Sequence, residues 1–230
     1  MKKISFDELV QTVKELADKR VLLTFHSVGD SDAVSSAFGL KLILKNATIA
    51  TPDTVTANSR RILQSFGFNA DLITDKFDDS AEAIVLLDVN NFEDCGRFGP
   101  KLQDFKGKIL VIDHHAQSQI GKEEVYAYNE EGRSATACII YAVLGKLGIK
   151  PDQGMAKLLA AGIVSDSAEF RNADGMTFVQ IGELLTIAKI DYPALAATIT
   201  HISDPKAPRH SPCLPLSSRA CRVSQRWEHR

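Results

Sequence analysis

Four short stretches hold the residues best suited to chemistry: His26, Asp30 and Asp32 in "HSVGDSD", Asp88 in "IVLLDVN", Asp113, His114 and His115 in "ILVIDHH", and Asp166 in "GIVSDS". Carboxylates gathered in one crevice repel one another unless cations neutralise them. Imidazole and carboxylate donors without a thiolate suit Mn²⁺ or Mg²⁺, with Zn²⁺ or Co²⁺ as substitutes. Two such ions sharing one carboxylate would lie roughly 3.5–4 Å apart, the arrangement used to hydrolyse phosphoesters. Singly, each stretch is weak, because Asp-x-Asp is commonly a solvated turn or helix cap and any tripeptide recurs by chance. The set carries the signal.

The surrounding elements say how such distant residues can meet. "RVLLTFH", "EAIVLLDVN" and "KILVIDHH" read as apolar strands, each running directly into one of the stretches. Strands without alternation, separated by helical segments, imply an α/β fold with a mainly parallel sheet covered by helices on both faces. In such a sheet ligands bind at the carboxyl ends of the strands, where these residues lie. Leu9, Val13, Leu16 and Ala17 recur at helical spacing in the first segment, and "SDAVSSAFGLKLILK" also reads as helix. "NATIATPDT" supports a short strand cut off by Pro52, and "NSRRILQSFG" a helix stopped at Gly67. The second half is more helical. A strand in "EEVYAYNEE" precedes helices in "SATACIIYAVLGKLG", "PDQGMAKLLAAGIVSDS", "GMTFVQIGELLTIAKI" and "YPALAATITHI", the second of them starting at Pro151 or Asp152.

Composition narrows the function classes. The formal net charge of −2 gives no global attraction to nucleic acid or anionic membrane, so an anionic substrate must be held locally. Cys95, Cys138, Cys213 and Cys221 form no CxxC pair and read as reduced thiols, the first two as packing residues. The charged, amphipathic start is not a signal peptide, and no apolar run approaches a membrane span. A soluble, cytoplasmic protein is expected. Residues 1–200 read as one domain, and 201–230 as a basic, Pro- and Arg-rich tail without periodicity, either poorly folded, a nucleic-acid-binding arm or a truncation remnant. His201, His210 and His229 stand outside every motif.

Taken together, the four stretches resemble the motifs of the DHH-type phosphoesterases, over about residues 5 to 200. That family includes RecJ-type exonucleases, short-oligonucleotide and pAp phosphatases, cyclic dinucleotide phosphodiesterases and family II inorganic pyrophosphatases. Its first motif usually reads HxxPDGDA; here Gly29 and Ser31 depart from it while the three ligand positions stand. The resemblance implies one metal on His26, Asp30 and Asp88, and a second on Asp32, Asp88, His114 and Asp166, with Asp88 bridging. It implies that Asp113 orients His114 through its other ring nitrogen, and that His115 faces the phosphoryl group. Beyond these, Ser134 or Thr136 in "GRSATA" could meet a phosphate at a helix start, or Ser134 could be an ordinary cap. Arg171 could neutralise a phosphate or lie on the surface, and Arg60 and Arg61 read as solvated helix residues.

The expected activity is two-metal hydrolysis of a phosphomonoester or phosphodiester in a nucleotide or short single-stranded oligonucleotide, with Mn²⁺ the favoured ion. Pyrophosphate hydrolysis and non-catalytic binding of nucleotide or metal are the alternatives. No membrane partner is expected, and self-association is compatible with the sequence. The glycine-rich GGGH-like motif of the family's second, substrate-binding domain is not found after residue 200.

Overall fold

The computed structural model describes residues 1–115 and 120–200. The tail expected over 201–230 lies outside the described residues. Seven parallel strands form one sheet in the order β1-β7-β6-β5-β2-β3-β4. They are β1 (Lys2–Lys3), β2 (Val21–Phe25), β3 (Ala47–Ala50), β4 (Ile73–Thr74), β5 (Ala83–Leu87), β6 (Lys108–Asp113) and β7 (Val125–Asn129). Among the described residues, eight α-helices accompany them: α1 (Phe6–Glu15), α2 (Ser31–Leu40), α3 (Ala57–Ser65), α4 (Gly99–Asp104), α5 (Thr136–Lys146), α6 (Gln153–Asp166), α7 (Gly175–Ala188) and α8 (Tyr192–Thr200).

The central strands are apolar throughout because both faces are covered. Alternate residues of β5 serve opposite cores: Val85 and Leu87 pack under α1, α2, α5 and α6, whereas Ile84 and Leu86 meet Phe92, Phe98 and Leu102. Among the described residues, short elements close the second face. There Lys122 Nζ donates to the carbonyls of Leu102, Gln103 and Phe105, capping the end of α4. Arg61, expected to be solvated, instead donates to the Thr198 and Ile199 carbonyls and ties α3 to the end of α8.

The topology opens a crevice at one place. After β2 the chain runs outward to β3 and β4, then returns to β5 on the other side of β2. α2 therefore packs on one face of the sheet and the segment after β5 on the other, leaving the carboxyl ends of β2 and β5 uncovered between them. His26 and Asp88 immediately follow those two strands. No helix among the described residues is long and apolar enough to cross a membrane.

Candidate metal centre

His26 begins a loop clamped by backbone hydrogen bonds to both neighbours: Ser27 N donates to Asp94 O at 2.7 Å, while Thr54 N and Thr56 N donate to Ser27 O and Gly29 O. Gly29 turns this loop with φ +57°, and a Cβ there would stand 2.6 Å from Thr54 O. The turn delivers Asp30 as the N-cap of α2, with its Oδ1 accepting from Asp32 N and Ala33 N. Its Oδ2 faces His26 Nε2 at 3.6 Å. Helix cap and site residue, alternatives for Asp30 in the sequence, are here divided between its two oxygens.

Asp32 is buried in the first turn of α2, and α5 holds it from across the crevice. Thr136 N donates to its Oδ2 at 2.7 Å and Ala137 N to its Oδ1 at 2.8 Å. α5 has no capping side chain of its own, so a carboxylate from another helix satisfies its first amides. The start of this helix could have met a phosphate or carried an ordinary Ser134 cap; its first amides meet Asp32. Thr136 Oγ1 donates to Asp88 Oδ1 at 3.1 Å. Ser134 is buried against α7, bonded to Asn172 O and Thr177 Oγ1. Arg171 is exposed and lines a separate depression with Glu169 and Ile199.

Asp88 occupies the left-handed region, φ +58°, a conformation Asp tolerates better than most residues. This bend places the carboxylate between two imidazoles: Oδ2 lies 3.5 Å from His26 Nε2 and Oδ1 lies 3.4 Å from His114 Nε2. His114 Nδ1 donates to the Arg133 carbonyl at 2.8 Å, which fixes the ring and turns Nε2 toward the carboxylates. That Nε2 stands 3.0 Å from Asp166 Oδ2 at the end of α6, yet it is buried and aligned with no hydrogen-bond partner. Asp113 does not orient His114, contrary to the expectation. Its Oδ1 accepts from His115 Nδ1 at 2.7 Å, because the residue two ahead, not the adjacent one, folds back over the end of β6.

Ligand atoms of His26, Asp30 and Asp88 lie within 4.8 Å of one another, as do those of Asp32, His114 and Asp166. Asp88, His114 and His115 also come together, but the His115 nitrogen nearest Asp88 is the Nδ1 that Asp113 holds. Burial, then the charges of Asp88 and Asp166, push Asp32 well above the usual carboxylate range. Asp88 moves the opposite way: burial would raise it, but the imidazoles of His114 and His26 beside it hold it below that range. Burial pulls His26 down, but Asp30 and Asp88 outweigh it and lift its pKa to about 10. For His114, burial is likewise outweighed by Asp166 and Asp88, which raise it to about 11. A donor set of imidazole and carboxylate only, with an unpartnered Nε2 among the oxygens, fits divalent metal ions.

The site opens into a cleft of about 350 Å³ lined by His26, Asp30, Asp88, Asn90, Asp94 and His115 among others. A smaller hollow of about 210 Å³, bordered by Asp30, Asp32, Thr56, Asn58, Ser165 and Asp166, opens beside it. Among the described residues, no lysine or arginine lines either. Asn90, Asp94 and Asn129, which reaches Asp113 from β7, were missed in the sequence. Asn129 carried a readable signal, being a polar residue that ends an apolar strand, as Asp113 does.

Residues 20–163 match the DHH family, N-terminal domain. An uncharacterized protein of Methanocaldococcus jannaschii is 24% identical over 181 residues, which are 76% of this chain and 54% of that protein. A probable manganese-dependent inorganic pyrophosphatase of Streptococcus agalactiae is 24% identical over 159 residues, 64% of this chain and 48% of its own. The chain thus spans about half the length of the curated relatives it matches. An exopolyphosphatase-related protein from Bacteroides fragilis has the same fold, with a TM-score of 0.70 at 19% identity over 85% of this chain and 59% of that one.

Proposed function

Since the chain belongs to the DHH family, whose N-terminal domain it matches over residues 20–163, we propose that it is a phosphohydrolase working with two divalent cations, Mn²⁺ the favoured pair. The observation that carries this reading is Asp88, whose two oxygens each face a different histidine. His26, Asp30 and Asp88 would hold one ion; Asp32, His114, Asp166 and the other oxygen of Asp88 would hold the second. Bound there, the pair would supply Lewis acidity toward a phosphoryl oxygen and lower the pKa of an attacking water.

The chain's own residues do the rest. Thr136 Oγ1 holds one oxygen of Asp88, the α5 amides fix Asp32, and the Arg133 carbonyl holds His114 Nδ1. His115 stands at the cleft with Nδ1 given to Asp113, so its Nε2 edge is the one available to a substrate oxygen. There it donates a hydrogen bond to the phosphoryl group or a proton to the leaving oxygen.

The substrate is read as a phosphomonoester or phosphodiester of a nucleotide or short oligonucleotide. A second reading, pyrophosphate hydrolysis, is favoured by the Streptococcus agalactiae relative's name. One assay separates them: purified full chain with Mn²⁺, offered pAp, short RNA, cyclic dinucleotides and pyrophosphate. Release from a nucleotide substrate is expected. Turnover of pyrophosphate alone would favour the second reading. Bound Mn²⁺ with no turnover of any substrate would leave a metal-binding protein and overturn the enzyme.

A further inference from the structure

We propose that Asn129 is a positioning residue for His115, acting through Asp113; the idea rests on the reading of His115 given above. Parallel pairing of β6 and β7 sets Asp113 opposite Asn129. Asn129 Nδ2 donates to Asp113 Oδ2 at 3.1 Å, while Asp113 Oδ1 accepts from His115 Nδ1 at 2.7 Å. Each oxygen of this fully buried carboxylate thus has one side-chain donor. The main chain is pinned at the same point, because Glu130 N donates to Asp113 O at 3.0 Å.

The need for such a brace follows from what each group lacks. A carboxylate's terminal torsion is broad and roughly two-fold, so one hydrogen bond leaves its plane free to swing. The side chain of His115 is 50% exposed. The plane of Asp113 therefore sets the plane of His115, and Asn129 sets the plane of Asp113. Asn129 bonds to Asp113, which belongs to neither group of residues that the cations would use, so its loss should leave metal binding alone.

The test is Asn129→Leu, similar in volume but without the donor. Supporting partners of this kind typically contribute about 10–100-fold, and kcat should fall by about 10-fold with KM and Mn²⁺ affinity unchanged. If Asn129 acts through His115, adding Asn129→Leu to His115→Ala should cost nothing further. An equal loss of kcat in that background would make the asparagine merely structural and overturn the proposal. A second readout needs no turnover. In the metal-free protein the His115 Nδ1 proton, held by Asp113, should resonate downfield and exchange slowly by NMR. Asn129→Leu should move it upfield and speed its exchange. An unchanged resonance would overturn the positioning role even if every substrate failed, whereas absent turnover with a shifted resonance would count only against the enzyme.

Discussion

At the amino ends of the central strands, acids and bases are matched. Glu82, just before β5, lies 3.6 Å from Lys19 Nζ and 3.9 Å from Arg20 Nη2, and Lys108 at the start of β6 lies 3.3 Å from Glu15. Around the carboxyl ends of β2 and β5, the ion-pair partners of Asp30, Asp88 and Asp166 among the described residues are histidines. The backbone differs too. Among the described residues, four of the five non-glycine positions with positive φ, Asp88 and Ala168 to Phe170, sit in or just past the metal centre. Each left-handed residue costs on the order of 1–2 kcal/mol. One end of the sheet is built to neutralise itself; the other keeps unmatched charge and strain, as functional sites do.

The sharpest way to break this contrast is to remove the shared acid. Asp88→Asn keeps the volume and a residue that tolerates the left-handed turn, so the fold should persist. Calorimetric Mn²⁺ binding should be lost at both positions, and turnover should fall to background. Retention of two bound ions would mean that Asp88 does not bridge, and the assignment of both ligand sets would fail.

Much of this contrast was legible in the sequence. β2, β5 and β6 announced themselves as apolar runs, and strand-end logic delivered His26, Asp88 and Asp113–His115 to one edge. β1 and β4 were not readable, being two residues each, too short for any periodicity. The covering of the second face, from Glu93 to Asp104, was hidden by glycine and proline. Within the site, types and positions were readable but pairings were not. Whether Asp113 holds His114 or His115, or whether Thr136 serves a phosphate or Asp88, depends on side-chain direction and strand register.

Gly29 tests the site's loop at a smaller scale. The family pattern places proline here, but φ +57° lies far from the value of about −65° that proline enforces. Proline would also remove the Gly29 N to His26 O hydrogen bond. Gly29→Pro should therefore destabilise the protein by about 3 kcal/mol, read as a lower urea midpoint at unchanged m. A neutral or stabilising result would show that the loop takes the family's course and that Gly29 is no more than a tolerated departure.

The smallest effect is expected at the opposite end, where it sharpens the comparison. Glu82 is held below the usual carboxylate pKa, first by the Arg20 backbone N–H and then by the charges of Lys19 and Arg20. A carboxylate depressed in the folded state stabilises above its ordinary value of 4.5, and that contribution fades as pH falls below it and the folded state takes up the proton. Glu82→Gln should thus lower Tm slightly at pH 7, less at high salt, and the gap from wild type should close in acid. Mn²⁺ affinity should be untouched, because a self-neutralised amino end has nothing to lend to the metal centre. A change in Mn²⁺ affinity on Glu82→Gln would show that the two ends of β5 are coupled through the strand, and the division between them would be wrong.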